Sequence, residues 1–307
     1  MKKIGGIFLA LLISFAFLGC IAPKGEGHNI GLAVEFNDHA ACAYVAKEKG
    51  WYEDAGLDLT SYESYQTGLM LSAALARGDI QAAYICLSPA ILACERGVPL
   101  KIVCGTHKYG YGLVASPKIK SIADLEGKTI GCVREGSLVD LLLDLIVQRY
   151  HLEDIKVRRM NPEQGVIALT TGRLEAAFLP EHYATVAESQ GYPMLIQSQE
   201  LWPNMQGSVL VVKAELIDNN PEDARKLVEV TQRATDWLKD HPGEAAQIMG
   251  GVLETPAEVI RRSMDRLSYS AEVDPRAVQD TIDLMAKLGY ISEDLRAEDI
   301  LDLRFQS

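Results

Sequence analysis

Three features of the sequence predict an α/β protein built on parallel sheets. Short apolar strands alternate with helical segments of ten or so residues, the pattern that parallel sheets require. The same order of elements occurs twice along the chain. The run ALARGDIQAAYI (74–85) also aligns without gaps to ALTTGRLEAAFL (168–179), identical at Ala, Leu, Gly and two further Ala. The two halves therefore share a building unit.

In the first block, HNIGLAVEF (28–36) reads as a strand and 38–49 as a helix ended by Gly50. Residues 57–62 are strand-like. Thr67 is placed to cap a helix GLMLSAALAR that Gly78 stops, and 80–86 is an apolar, buried strand. Ser88-Pro89 opens the next helix, Gly97 ends it, and 100–105 is strand again.

The second block begins at Ser121 and Asp124, spaced as a capping box, followed by the strand KTIGCV (128–133) and a long helix to Tyr150 capped by Ser137. The segment 156–160 is a strand, Asn161-Pro162 starts a helix, Gly172 ends it, and 174–179 is a strand. Beyond Gly207, the strand 208–213 leads into helices opened by Asn220-Pro221, Thr255-Pro256 and Asp274-Pro275. This tail is too poor in strands to be a third α/β domain, so it is expected to pack back on a lobe.

With 307 residues, 48% hydrophobic and 23% charged, the chain can bury two cores without metals or disulfides. The formal net charge of −12 repels phosphate backbones and argues against a nucleic-acid partner. Lys2 and Lys3 precede the uncharged run 4–19, which has the layout of a secretory signal and is short for a membrane span. Cys20, after Leu18 and Gly19, resembles the lipobox of bacterial lipoproteins, with Phe17 departing from the usual Leu. The expected layout is a signal peptide over 1–19, a lipid anchor at Cys20 and a Pro/Gly-rich tether over 20–27; a plain cleavage site or an uncleaved anchor stays open. Removal of 1–19 leaves 28 basic against 42 acidic residues, a net −14. Five cysteines then remain, an odd number that cannot all pair.

Several motifs in order, GWYEDAGLDL (50–59), ALARGDIQAA (74–83), GVPLKIV (97–103), SIADLEGKTIGC (121–132) and EGS (135–137), resemble the nitrate/sulfonate/taurine substrate-binding proteins of ABC transporters, a group that includes thiamine-precursor binders. The resemblance covers about 30–246. It implies a two-lobed periplasmic-binding-protein fold of type II, with lobe one from 28–112 plus 208–307, lobe two from 113–207, and a ligand cleft between them. The chain is then expected to cross near 111–117 and 205–208, where Gly110, Gly112 and Gly207 can absorb rotation. The implied partners are a small organic anion, zwitterion or thiamine-precursor pyrimidine, an ABC permease with its ATPase, and the membrane through the lipid anchor. The protein is expected to be a monomer without cofactor, metal or catalytic residues.

In such lobes, ligands lie beyond the carboxyl ends of the strands, against helix amino termini. The candidates there are Thr67, Gly68 and Ser88 in lobe one, and Gly136, Ser137, Glu181 and His182 in lobe two. Each such helix end is worth about 0.3–1 kcal/mol, up to ~2 when partly buried, toward the ~8 kcal/mol of micromolar binding. Arg134 suits a sulfonate or carboxylate, while Glu35, Glu135 and Glu181 suit an amine. Tyr65, Tyr109 and Trp202 are candidate stacking walls, and Trp51 reads as structural packing. The Asn37 and His39 positions partly resemble those of the thiamine-precursor binders, with the His spacing off by one. Two rivals remain: an enzyme of thiamine-pyrimidine synthesis, whose Cys-rich motif is absent, and soft-metal capture, since Cys86, Cys104 and Cys132 end strands near His39 and His107. No cysteine spacing matches a metal motif.

Overall fold

The computed structural model describes residues 30–306; the expected signal peptide, the Cys20 anchor and the tether lie outside them. Eleven strands follow in chain order: β1 (Ile30–Glu35), β2 (Leu59–Tyr65), β3 (Ala82–Cys86), β4 (Leu100–Tyr109), β5 (Tyr111–Ala115), β6 (Thr129–Cys132), β7 (Lys156–Arg159), β8 (Ala176–Pro180), β9 (Met194–Gln197), β10 (Gln206–Lys213) and β11 (Leu267–Tyr269). They form two sheets, ordered β11-β4-β10-β3-β1-β2 and β7-β6-β8-β5-β9. The pairs β1–β2, β1–β3, β6–β7 and β6–β8 are parallel, as the strand–helix alternation requires. β1 and β3 are buried along their whole length, which is why they read as continuous apolar runs rather than alternating ones.

The chain passes between the sheets at Gly110, two residues before the expected boundary, because β5 already pairs with β8 from Tyr111. Tyr109 and Gly110 both hold positive φ, 66° and 92°, and this left-handed pair makes the turn. The return lies between β9 and β10, and the Tyr109 hydroxyl donates to the Pro203 carbonyl at 2.7 Å, tying the two crossings together. Of the expected rotation points, only Gly110 is left-handed. Gly207 serves close packing: a Cβ there would lie 2.2 Å from His107 Cε1.

Two element ends differ from the sequence expectation. β2 runs on to Tyr65, so Tyr65 ends a strand, with its hydroxyl donating to Glu63 at the surface. β4 continues through Gly105 to Tyr109. Gly105 breaks nothing because it admits a close neighbour: its N–H donates to Ala271 O at 2.8 Å, and a Cβ would meet Glu272 O at 2.4 Å.

The tail packs mainly on the first sheet. Helix Pro221–Asp240 lies against helix Ala41–Glu48 and β4, β11 extends the sheet edge, and helix Pro275–Lys287 lies against helix Leu87–Glu95. One apolar cluster is continuous across the cleft, from Leu71, Ile85 and Leu92 of lobe one to Tyr111, Leu138 and Phe178 of lobe two. Separate clusters fill the outer faces of each sheet. All five cysteines among the described residues are free thiols.

Gly110→Ala forces an L side chain to φ 92° and sets its Cβ 2.9 Å from His39 Nε2. Urea denaturation is expected to show a loss of about 1–3 kcal/mol.

Candidate functional site

Between the sheets lies a cavity of about 30 Å³, small on a scale where one water needs at least ~10–15 Å³. Its walls come from the carboxyl ends of strands. Glu35 ends β1 and Asn37 follows it, Gln66 to Leu69 follow β2, and Cys86 ends β3 with Pro89 beyond it. Tyr111 opens β5, Val133 and Ser137 to Val139 follow β6, Pro162 follows β7 and Pro180 ends β8.

Five helices begin on or beside this cavity: those starting at Gly68, Leu138 and Pro162 line it directly, and those starting at Leu87 and Glu181 reach it through their capping residues Cys86 and Pro180. Two spend their capping side chains internally: Thr67 Oγ1 accepts from Met70 N and Asn161 Oδ1 from Gln164 N. Ser137 does not. It sits at the helix start, 7% exposed, with Oγ unbonded, while the Asp140 carboxylate takes the neighbouring Gly136 N–H at 3.1 Å. Ser88 Oγ is likewise buried and unpartnered. Ser137 was expected to cap; its free hydroxyl instead leaves first-turn N–H groups and an O–H available to the cavity. The lining holds no Lys or Arg, and its carbons come from Leu69, Pro89, Val133, Leu138, Val139, Pro162 and Pro180.

The floor is a buried polar network. Glu35 accepts from Cys86 N at 2.7 Å, from Cys86 Sγ at 3.1 Å and from Asn37 Nδ2 at 3.3 Å. Tyr111 Oη and Ser208 Oγ lie 2.9 and 3.6 Å from the same sulfur. His39 Nε2 lies 2.6 Å from the Gly110 carbonyl, which can only accept, so Nε2 carries the proton and Nδ1 presents a lone pair. Burial raises the Glu35 carboxyl, pushes the Cys86 and Tyr111 groups well above their usual ranges and lowers His39 to about 4. Every floor group is thus driven toward its uncharged form.

Asn37, Thr67, Gly68 and Ser137 line the cavity, and Ser88 lies buried at the start of its helix. The other expected contacts are placed elsewhere. His39 sits behind Cys86, outside the lining. His107 lies within β4, fully buried, with its ring 4.4 Å from that of His39, because that strand outruns Gly105. Arg134 is exposed on the turn before Ser137. Gly136 supplies a left-handed turn, φ 79°, against which Leu92 of lobe one packs. Tyr65 is engaged with Glu63 at the surface.

Glu181 and His182 form an interlobe contact instead. Glu181 accepts from Arg266 Nη1 at 2.8 Å and from Thr185 Oγ1 at 3.0 Å, and His182 Nε2 meets Thr255 Oγ1 at 3.1 Å. Arg262 and Arg266 both reach Glu188, and the Tyr183 hydroxyl donates to the Phe36 carbonyl at 3.1 Å. On another side of the cleft, the Tyr290 hydroxyl contacts Asp140 and Asp144 at 2.6 and 3.0 Å. Sequence reasoning missed Gln66, Tyr111, Val133 and the prolines of the lining; Pro89 and Pro162 were legible as helix starts, and helix starts are what the cavity uses.

A model of the NMT1-like family matches residues 24–252. A Bacillus subtilis (strain 168) protein that bears the name of an aliphatic sulfonates-binding protein is 22% identical over 99% of this chain and 96% of its own length. Among solved structures, the zinc-bound ligand binding component of an ABC-type import system from Staphylococcus aureus superposes with a TM-score of 0.82 at 18% identity, covering 91% of this chain and 97% of that one. The alkanesulfonate-binding protein SsuA of Xanthomonas axonopodis pv. citri, bound to MOPS, gives 0.79 at 17% identity, covering 90% and 98%. These structures show the two-lobed periplasmic-binding-protein fold.

Glu181 is fully buried while Arg266 keeps 21% of its side chain exposed. Arg266→Ala leaves Glu181 to regain water by parting the lobes. The pair is partly screened, so about 1–3 kcal/mol of closing bias should be lost, a shift of roughly 5- to 150-fold in the open-to-closed ratio. A larger radius of gyration by small-angle scattering checks this, and an unchanged one counts against a latch.

Proposed function

The chain belongs to the NMT1-like family, and on that premise we propose that it is the extracytoplasmic solute-binding component of an ABC importer, closing its lobes on a small organic anion of the sulfonate class. The observation that carries this is the convergence of five helix amino termini on a cavity whose lining lacks Lys and Arg. Backbone N–H groups and the free Ser137 hydroxyl can hold anionic oxygens there without a counter-charge. The apolar lining suits a short carbon chain. The names of the Bacillus and Xanthomonas relatives support the same ligand class.

Binding is reversible in this reading, and delivery goes to a permease and its ATPase. The interlobe contacts at Arg266 and Tyr290 supply the closing step, since they form only when the halves meet. No helix among the described residues is long and apolar enough to cross a membrane. Attachment is proposed through a lipid on Cys20, with the receptor acting as a monomer outside the cytoplasm.

A thermal-shift screen of taurine, short alkanesulfonates, nitrate and hydroxymethylpyrimidine tests the ligand class. A sulfonate at a hundred times its Kd should stabilise the protein by about 2.7 kcal/mol and be recovered unchanged. A response to the pyrimidine alone would move the protein to the thiamine-precursor branch. Ser137→Trp fills the cavity from one wall and is expected to weaken sulfonate binding at least ~100-fold, about 2.7 kcal/mol, with the circular dichroism spectrum retained; equal affinity removes Ser137 from the site. Cys20→Ser should shift the protein from the membrane fraction to the soluble one, and unchanged fractionation rules out the lipid.

A further inference from the structure

We propose that Glu35, His39 and Cys86 form a three-ligand site for a zinc-class divalent cation in the floor of the cavity, with its fourth position open to the bound solute. The three residues follow or end adjacent strands: Glu35 closes β1, His39 lies four residues on, and Cys86 ends β3. All are buried, and one ligand atom from each lies within 4.8 Å of the others. Sγ is 3.1 Å from the Glu35 oxygen and 3.8 Å from His39 Nδ1. Ligands about 2.0–2.3 Å from a tetrahedral zinc stand about 3.5 Å apart, so small side-chain shifts admit the ion.

Each ligand is already oriented by a group behind it. The Gly110 carbonyl fixes the His39 tautomer, turning the Nδ1 lone pair toward the sulfur. Asn37 Nδ2 and Cys86 N hold the Glu35 carboxyl. If the thiol proton points at Glu35, both hydroxyls near the sulfur, Tyr111 and Ser208, are its donors, two contacts that a metal-bound thiolate would keep. Metal sites are supported in this way by groups that aim the ligands. A mixed S, N and O donor set selects zinc-like ions over Mg²⁺ and Ca²⁺.

Charge balances as well. The cavity walls present N–H groups that favour an anion, and an ion that drew the protons from Glu35 and Cys86, both held uncharged by burial, would leave a carboxylate and a thiolate in the floor. A divalent cation neutralises both and leaves the helix ends to receive the solute. On binding, the ion replaces the thiol proton, and the carboxyl proton where held, and these pass to solvent. Glu35 and Cys86 line the cavity whereas His39 lies behind, so the remaining coordination position faces the solute space. Only what fills that position rests on the solute-binding reading; the ion rests on its three ligands.

The full chain, stripped with a chelator under reducing conditions, is titrated with ZnCl₂ in competition with a chromophoric chelator, and separately with CoCl₂. One equivalent of zinc with Kd below about 1 µM is expected, together with the near-ultraviolet charge-transfer band of a cobalt thiolate. Cys86→Ser and His39→Gln should each weaken zinc at least ~100-fold, while Cys94→Ser, at a thiol near the Leu100 carbonyl, should leave it unchanged. No stoichiometric zinc, no thiolate band in the wild-type chain, or unaltered binding by Cys86→Ser overturns the site; the cobalt band decides even if a variant fails to fold. A taurine and alkanesulfonate titration with and without zinc separates the two proposals. Zinc bound with no sulfonate response under either condition leaves the metal site standing and removes the sulfonate. Sulfonate bound without stoichiometric zinc does the reverse.

Discussion

The carbonyl of Gly110 is the point on which the arrangement of the lobes depends. It lies where the chain leaves the first sheet for the second, and it accepts from both sides: His39 Nε2 at 2.6 Å from lobe one and Glu181 N at 2.8 Å from lobe two. Both bonds are buried, so losing either would leave a polar group without water or partner. This fixes the left-handed turn at Tyr109 and Gly110. It also fixes the His39 ring and thereby the side of the imidazole that faces Cys86. The passage between the lobes and the cavity floor are one hydrogen-bonded unit.

Around that unit the protein divides its polar groups by task. Two sets of polar contacts bridge the lobes: Arg266 with Glu181 and Glu188, and the Tyr290 hydroxyl with Asp140, which Arg159 of the same lobe also holds. The Arg266 and Tyr290 contacts join surfaces that must also separate, and parting the lobes returns these groups to water. The interior of the cleft uses hydroxyls, backbone N–H groups and a carboxyl raised by burial. On the proposed binding reading, a solute held by such neutral dipoles can leave when the lobes part.

The apolar cluster that crosses the cleft adds a third element. Leu92 packs beneath Gly136, whose positive φ brings the loop before helix Leu138–Tyr150 close to lobe one. The same approach sets Ser137 against the cavity. In this closed arrangement the same approach buries carbon and sets the polar contact.

The sequence by itself determined the α/β class, the doubled strand–helix order and the helix starts, because periodicity, Gly stops and Asn-Pro or Ser-Pro pairs act within a few residues of themselves. Thr67, Gly68 and Ser137 were legible as cavity residues for that reason, each sitting where a strand end meets a helix start, whereas Asn37 came only from the resemblance to the thiamine-precursor binders. Only the tertiary structure decided the rest. Glu181 occupies an equivalent place, yet its carboxyl is claimed by Arg266, 85 positions away. His107 was lost to a strand that continues through Gly105, because the chain near residue 271 supplies a partner there. Cys86 looked like a small core residue in an apolar strand; its meeting with Glu35, His39, Tyr111 and Ser208 comes from segments up to 122 residues apart. Local patterns specify where the chain turns, whereas side-chain partners are set by which distant segments the two sheets bring together.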